Sequence, residues 1–261
     1  MRLKGKTALI AGASRNIGKE IALTFAREGA EVIVVARQHE EELAQVAREC
    51  ESMGAKSLPL IADLGSHEAV NRMAQQGLSH FGKVDVVVSV AAIRPHKSFW
   101  EIGYDEWNQV LAVNLSSTFY LAKALAPAMM KRGTGGSFVA LGGIAAVTAQ
   151  AQRAHVIASK TGLYGLMKAL ALELGPYNIR ANLIAVGQID TERRNPQWYP
   201  EGAGAPLGGG GDRAPAGRSD GAPLNRQGTK QEVANVALFL ASDESSFVTG
   251  DRIICAGGRY M

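Results

Sequence analysis

The segment RAHVIASK, residues 153–160, places a histidine and a lysine near the start of a predicted helix. Residues 156 and 160 share one helical face, whereas residue 155 lies about 100° round the helix from 156. His155 therefore needs an irregular first turn to share a pocket with Lys160. The dipole at a helix N-terminus favours a neutral imidazole, so His155 would donate a hydrogen bond to an oxygen. Packing or a subunit contact is the alternative.

Further polar side chains lie in the loops that follow predicted strands. An arginine in such a loop could bind a carboxylate or phosphate of a substrate, because its guanidinium offers two parallel hydrogen bonds. Each residue taken alone is more simply a solvated loop residue, but as a group they favour an anionic or oxygen-rich substrate. The group comprises Arg94, His96, Gln150, Gln152, Arg153 and Gln188.

The stretch AGASRNIG, residues 11–18, joins the first apolar run to a helix. Helix N-terminal amides and the helix dipole form a phosphate site at such a junction, and Gly12 and Gly18 let the backbone approach a pyrophosphate closely. Asn16 stands in the middle of the turn, and asparagine tolerates the left-handed backbone conformation better than most residues. The turn is therefore a candidate nucleotide site.

The elements that position these residues alternate along the chain. Continuous apolar strands separated by helices predict one α/β domain, with a parallel sheet of about seven strands and helices on both faces. Ligands bind such a sheet at the carboxyl ends of its strands. Strands are expected at 7–12, 31–37, 56–63, 84–91, 135–143, 179–187 and 250–258. Helices are expected at 17–29, 40–53, 66–80, 104–131, 152–175 and 230–241.

Residues 191–228 interrupt this alternation with a stretch rich in glycine and proline, PEGAGAPLGGGGDRAPAGRSDGAP. Such a stretch cannot form a core and is predicted to be a long mobile loop. Because the loop follows the sixth strand at the ligand-binding edge, a substrate lid is favoured over a disordered insertion. Trp198 and Tyr199 either face the substrate or only pin the loop to the surface.

The composition fits a single domain spanning 1–261. The chain is 46% hydrophobic, which provides a sizeable core. Lysine and arginine total 28 against 24 acidic residues and are scattered, which argues against nucleic acid. Cys50 and Cys255 show neither a disulfide framework nor metal-ligand spacing, and the amino terminus reads as neither signal peptide nor membrane span. A cytoplasmic protein without metal or membrane partners is expected.

Several motifs resemble the short-chain dehydrogenase/reductase family, which has a single Rossmann-type domain. The resemblance covers nearly the whole chain. Three positions depart from the family pattern: Asn16 replaces a glycine, SVAA replaces Asn-Asn-Ala-Gly, and Val186-Gly187 replaces Pro-Gly. The motifs are AGASRNIG, AD at 62–63, SVAA at 89–92, Asn114 in AVNLSS, Lys160, IRANLIAVGQIDT at 179–191, and VTGDRIICAGG near the end.

The resemblance implies a nicotinamide cofactor. An acidic residue at the end of the second strand would bind the ribose 2′-hydroxyl of NAD, but this strand ends in Arg37. Arg15 and Arg37 suit a 2′-phosphate, so NADP(H) is expected over NAD(H), unless both are ordinary surface residues. Asp63 resembles the family's adenine-binding residue or caps the next helix. The other expected cofactor residues are Gly12, Ser14, Asn16, Ile17, Gly18, Leu64, Ala91, Lys160, Gly187 and Ile189.

The same resemblance implies an atypical catalytic site. In the family a tyrosine donates the proton, a lysine lowers its pKa and holds the nicotinamide ribose, a serine binds the substrate oxygen, and an asparagine supports a water relay. Asn114 and Lys160 match this set, whereas Val156 stands at the tyrosine position and Gly143 at the serine position. A one-residue shift would put His155 at the tyrosine position. Asn114, Lys160 and His155 are the expected catalytic residues.

Three functions follow. The first is an NADP(H)-dependent oxidoreductase with a non-standard site, acting on a small oxygenated or acyl substrate. One route is reduction of a polarised C=C, the reaction of the family's dienoyl-CoA reductase branch, which also lacks the tyrosine. The other route uses His155 as the proton donor or acceptor for a carbonyl or alcohol. The second is lyase or decarboxylase chemistry with His155 or His96 as base. The third is a nucleotide-binding pseudoenzyme.

The resemblance also implies a homo-oligomer, a tetramer or dimer, formed through the two long helices. Small and apolar residues on these helices permit such a contact, although the same residues could face the sheet. They are Ala122, Ala126, Leu163, Leu166 and Leu170.

Overall fold

A parallel sheet forms the centre of the computed structural model, which describes residues 1–144, 147–192 and 222–259. Its strand order is β3-β2-β1-β4-β5-β6-β7, and every neighbouring pair is parallel. The predicted sheet of about seven strands is confirmed. The strands are β1 (Thr7–Ala11), β2 (Glu31–Ala36), β3 (Ser57–Ile61), β4 (Val86–Ser89), β5 (Gly136–Leu141), β6 (Ile179–Val186) and β7 (Arg252–Cys255).

The α-helices found in the described ranges are α1 (Asn16–Arg27), α2 (Glu40–Ser52), α3 (His67–Phe81), α4 (Tyr104–Leu111), α5 (Ser117–Arg132), α6 (Ala154–Leu174) and α7 (Lys230–Ala241). The long helix predicted over 104–131 is divided by a π-helical turn, Ala112–Ser116. Such turns are rare and occur frequently at functional sites. None of the helices in these ranges is long and apolar enough to cross a bilayer.

The inner strands of the sheet are buried on both faces, as their continuous apolar sequences predicted, whereas the edge strands β3 and β7 are partly exposed. On β1, Ala8 and Ile10 pack into the layer that contains α1, α2 and α7. The alternate residues Leu9 and Ala11 pack into the layer that contains α3, α5 and α6. Burying one large apolar side chain stabilises a fold by roughly 1.5–3 kcal/mol. Alternate residues of one strand thus contribute to two separate cores.

The strand order changes direction between β1 and β4, so the loops after these two strands diverge at the carboxyl edge. The loop after β6 returns to the same edge, where Ile189 pairs with Gly228 and the Asp190 amide donates to the Gly228 carbonyl at 2.9 Å. The chain on either side of 193–221 therefore meets here. Residues 193–221, including Trp198 and Tyr199, lie outside the described residues, so the lid over 191–228 stays a prediction.

Candidate active site

The turn between β1 and α1 packs closely enough to require two of its glycines. Gly12 has a φ of 102°, and a Cβ there would lie 2.7 Å from the Ala91 nitrogen. A Cβ on Gly18 would lie 1.9 Å from the Gly12 carbonyl oxygen. Asn16 has a φ of 52°, the left-handed conformation expected from the sequence. The turn therefore brings the start of α1, the end of β1 and the loop after β4 together.

The N-terminus of α1 is open to an anion. Its N-cap residue, Arg15, makes no side-chain capping bond, and its first turn contains no acidic residue. By contrast, Ser66 caps α3 and Thr229 caps α7, and both of those helices carry a glutamate in the first turn. Uncapped amides and the positive end of the helix dipole suit a phosphate. The donor set at this turn thus fits the pyrophosphate of a dinucleotide.

Asn16 also connects this turn to the loop after β6. Its Nδ2 donates to the Glu192 carbonyl at 3.1 Å, and its Oδ1 accepts from the Glu192 amide at 3.0 Å. A glycine at this position could adopt the same backbone conformation but could not make either bond. The side chain therefore adds a connection that the sequence did not reveal.

A cleft of about 500 Å³ lies beside the turn and carries both charge signs. Lys19 pairs with Glu49 at 2.8 Å, and Arg48 pairs with Glu41 at 3.2 Å. Arg15 has no ion pair with any described residue. The lining comprises Ser14, Arg15, Asn16, Lys19, Glu20, Glu41, Glu42, Gln45, Arg48, Glu192 and Lys230. Arg37 is exposed just beyond β2 and is likewise unpaired within the described ranges.

Asp63 shapes the loop after β3 rather than capping α3. Its Oδ1 accepts from the Gly65 amide at 2.9 Å, whereas Ser66 provides the cap. Asp63 itself is exposed, and the neighbouring Leu64 is buried. The alternative expectation, that Asp63 caps α3, is therefore wrong.

The remaining expected cofactor residues lie along the same edge of the sheet. Ala91 donates its amide to the Ala11 carbonyl at 3.0 Å, and Ile189 is buried. A Cβ on Gly187 would lie 2.8 Å from the Cα of Ala256, which explains a glycine after β6. Ile17 and Ser14 are half-buried in the first turn.

Asn114 lies in the π-helical turn, where it is 2% exposed, and it connects three elements. Its Oδ1 accepts from the Ile93 amide at 2.8 Å, and its Nδ2 donates to the Ile93 carbonyl at 2.9 Å. Nδ2 also lies 3.1 Å from the Ser159 Oγ. The amide thus holds the loop after β4 and reaches α6 at the same time.

Lys160 is placed on α6 directly after Ser159. Its Nζ donates to the Leu141 carbonyl at the end of β5, at 2.7 Å, and the residue is 5% exposed. Burial, together with the positive charge of Arg94, lowers the pKa of Lys160 to about 7. Ser159 Oγ donates to the Val156 carbonyl at 2.7 Å. Asn114 therefore contacts α6 through Ser159, a serine that sequence reasoning missed, while Lys160 contacts the end of β5.

His155 lies on a different side of α6. The helix is regular from Ala154 onward, so the irregular first turn that would aim His155 toward Lys160 is absent from α6. The ring is fully buried, and its Nε2 lies 3.2 Å from Glu106 Oε1 on α4. Burial lowers the pKa of His155, and Glu106 opposes this shift. Glu106 also pairs with Lys97. A catalytic role for His155 stays a prediction.

Val156 and Gly143 occupy contrasting surroundings. Val156 is 2% exposed, whereas a Cβ built on Gly143 has no atom of the described residues within 4 Å apart from its chain neighbours. A serine would therefore find room at Gly143, while a tyrosine in place of Val156 must push outward from a packed position.

The polar loop residues are joined to one another. Gln152, in the left-handed conformation with a φ of 61°, accepts from the Lys97 amide at 2.9 Å. Arg153 contacts His96, which connects the loops after β4 and β5 a second time. Arg94 is exposed, and Gln188 supplies its carbonyl to the Gly228 amide at 3.0 Å. The described residues contain no cluster of three or more side chains that could hold a metal.

The sheet order, the open glycine turn and the buried asparagine and lysine at one edge define a Rossmann-type α/β domain, a class of fold in which dinucleotides bind at this edge of the sheet. A family model described as enoyl-(acyl carrier protein) reductase matches residues 12–259. The chain belongs to the short-chain dehydrogenase/reductase family, and its architecture is that of a short-chain oxidoreductase.

Characterised relatives match along the full chain. The chain is 34% identical over 261 residues to the 3-oxoacyl-(acyl-carrier-protein) reductase of Escherichia coli K12, covering 100% of both proteins. It is 30% identical to the L-rhamnose 1-dehydrogenase (NAD(P)(+)) of a Sphingomonas species, covering 99% of this chain and 98% of that protein. Both relatives are oxidoreductases by name.

Solved structures also match over nearly the whole chain. A short-chain type dehydrogenase/reductase from Mycobacterium marinum superposes with a TM-score of 0.84 at 33% identity, covering 98% of this chain and 96% of that chain. A 7α-hydroxysteroid dehydrogenase, in complex with NADH and 7-oxo glycochenodeoxycholic acid, gives a TM-score of 0.85 at 30% identity and covers 98% and 95%. Such relatives establish the fold and the family.

Proposed function

We propose that this chain is an NADP(H)-dependent short-chain oxidoreductase with a non-standard catalytic site, acting on a small oxygenated or acyl substrate. The observation that carries the proposal is that two buried polar side chains, Asn114 bonded to the loop after β4 and Lys160 bonded to the end of β5, lie at the edge of the sheet where the α1 turn is open to an anion. A protein that only packed α6 against the sheet would gain nothing from a buried lysine that has no ion pair with any described residue.

The cofactor proposal rests on charge. When bound, the nicotinamide supplies or accepts a hydride. The uncapped α1 amides hold the pyrophosphate, and Lys160 holds the nicotinamide ribose. Arg15 and Arg37 bind the 2′-phosphate, since neither has an ion pair with any described residue and β2 ends without a carboxylate. The relative that binds NADH shows that the family alone does not decide between the two cofactors.

The substrate proposal follows from the side chains at the reacting end. Neither Val156 nor Gly143 can donate a proton to a carbonyl oxygen, and the His155 ring is held by Glu106. Reduction of a polarised C=C needs no donor at that oxygen, because the proton is delivered to carbon. The description of the family model, an enoyl reductase, supports this route. Carbonyl reduction is the alternative within the same proposal, because one relative is a 3-oxoacyl reductase.

Fluorescence titration with NADPH and NADH tests the cofactor. Wild type is expected to bind NADPH more tightly, and Arg15→Gln with Arg37→Gln to lose about 10-fold or more of NADPH affinity while keeping NADH affinity. Arg72→Gln, which removes an exposed charge from α3, is the matched control and leaves both affinities unchanged. Equal affinities of wild type for NADPH and NADH would refute the NADP(H) proposal.

Turnover separates the two substrate routes. NADPH oxidation is measured with an enoyl compound and with the 3-oxoacyl compound of the same chain length, each as the thioester and as the free acid. The enoyl compound is expected to turn over faster in the form that the site accepts. If only the 3-oxoacyl compound reacts, and His155→Ala abolishes that reaction, then carbonyl reduction with His155 as donor is correct instead.

A second candidate function follows from the lowered pKa of Lys160, since a buried lysine beside another cation is a nucleophile at neutral pH. Its neutral amine would add to a substrate carbonyl carbon, water would leave, and the iminium would accept the electron pair released when a β-carboxylate departs as CO₂. Borohydride trapping with acetoacetate tests this chemistry. A reduced adduct together with release of CO₂ in wild type, both absent from Lys160→Met, supports decarboxylation over hydride transfer.

The proposal includes a homo-oligomer and a lid over 191–228. Ala122, Ala126 and Leu163 are buried in the sheet-facing core, so they do not supply an outer contact. The outer face of α5 and α6 instead carries a shallow groove lined by Leu115, Ser116, Phe119, Tyr120, Gly162 and Leu166. Light scattering coupled to size exclusion measures the mass in solution, and replacing Phe119 with Glu is expected to dissociate the assembly.

A further inference from the structure

Arg94 differs from the other basic residues around the catalytic end. Lys97 pairs with Glu106, Arg153 contacts His96, and Lys160 donates to the Leu141 carbonyl. Arg94 is exposed and has no hydrogen bond or ion pair with any residue that the structure describes.

The backbone at Arg94 is nevertheless fixed on both sides. The preceding residue, Ile93, is held by two hydrogen bonds to the Asn114 amide, at 2.8 and 2.9 Å. The following residue is Pro95, which disfavours the helical region for Arg94. Arg94 thus cannot move away from Asn114, although its long side chain stays free to reach a ligand.

Arg94 and Lys160 place two positive charges at one site. The charge of Arg94 is close enough to disfavour protonation of Lys160. Glu106, the acidic residue that faces these loops, already contacts both Lys97 and His155. The described part of the chain therefore provides no carboxylate for Arg94, and an anion supplied by a ligand would relieve the repulsion.

We infer that Arg94 binds a carboxylate of the substrate, so that the substrate is a small acyl compound carrying a free acid. A guanidinium matches a carboxylate with two parallel hydrogen bonds. The inference rests on the proposed function, because it places the substrate's reacting carbon beside Asn114 and Lys160. It extends that function by naming the charged group that the site selects. It also distinguishes Arg94 from Arg153, which already contacts His96.

The experiment compares acids with their neutral esters. Binding of acetoacetate, crotonate and their methyl esters is measured by calorimetry on the full chain, with and without saturating NADPH. Wild type is expected to bind at least one acid about 10-fold or more tightly than its ester. Arg94→Gln abolishes this preference, Arg94→Lys retains part of it, and the control Arg72→Gln retains all of it. NADPH affinity is unchanged in Arg94→Gln.

Two results would overturn the inference while leaving the proposed function standing. One is wild-type protein that binds NADPH but shows no preference for either acid over its ester. The other is an Arg94→Gln variant that loses NADPH affinity, which would assign Arg94 to a phosphate of the cofactor. If wild type binds no NADPH, the proposed function fails, and the titrations without cofactor still test whether Arg94 selects a carboxylate.

Discussion

Replacing Lys160 with methionine is expected to remove a pH dependence of folding stability above pH 7. The amine is buried against the end of β5, and burial together with the charge of Arg94 lowers its pKa from 10.5 to about 7. Each pH unit of such a difference corresponds to about 1.4 kcal/mol. Protonated Lys160 therefore destabilises the folded chain by on the order of 5 kcal/mol relative to a solvated lysine.

The sign of this pH dependence follows from the pH ranges in which the folded and the unfolded chain keep the Lys160 proton. Below pH 7 the amine is protonated in the folded and the unfolded chain, so the destabilisation is complete. Between pH 7 and about 10.5 the unfolded chain keeps its proton while the folded chain loses it. Stability attributable to Lys160 therefore rises with pH, by about 2 kcal/mol between pH 7 and pH 9.

Urea unfolding at several pH values from 7 to 9 measures this effect as a difference between wild type and Lys160→Met. The difference matters because other groups titrate in the same range. Burial raises the pKa of Cys50 to about 12, so its thiol lowers stability as pH rises, equally in both proteins. Lys131→Met, which removes an exposed amine, is the control and is expected to follow wild type. Parallel pH profiles for wild type and Lys160→Met would refute the argument.

Three further predictions concern the same edge of the sheet. Because burial lowers the pKa of His155, stability is expected to fall as pH drops below about 6.5, and His155→Asn to lessen this loss in urea unfolding at pH 7 and 5.5; identical slopes would contradict it. Gly143→Ser with Val156→Tyr is expected to raise 3-oxoacyl thioester reduction by about 10²–10⁴-fold, and no gain would mean a more deeply altered pocket. Asn16→Gly loses both bonds to Glu192, each worth about 0.5–1.5 kcal/mol, so faster hydrogen exchange is expected at the Glu192 amide; unchanged exchange would show that the bonds are not maintained in solution.

The sheet was predictable because each of its strands has a recognisable sequence pattern. Each is a short apolar run followed by a turn or a helical pattern, and burial on both faces leaves little ambiguity. The break between α4 and α5 was not predictable, because the sequence AVNLS fits a regular helix as well as a π-helical turn. It is the hydrogen bonds from Asn114 to the Ile93 backbone that accompany the wider turn, and these join residues 21 apart in sequence.

The residues of the candidate site could be predicted from the sequence, whereas most contacts between their side chains could not. The spacing of His155, Val156 and Lys160 indicated that His155 needs an irregular turn, and the regular start of α6 places its ring on Glu106. Nothing in the sequence distinguished Arg94 from Arg153, since both are arginines in loops after strands. The serine before Lys160 gave no sign that its hydroxyl would lie between Val156 and Asn114. Such contacts depend on side-chain direction in three dimensions.

The two hydrogen bonds between Asn16 and Glu192 couple the turn between β1 and α1 thermodynamically to the residues that follow β6. A ligand that fixes Asn16 also favours the bonded position of Glu192, and anything that draws Glu192 away weakens binding at the turn by the same factor. Glycine at this position would remove both of these bonds. An asparagine in a glycine-rich turn therefore couples occupancy of that turn by any ligand to the position of Glu192.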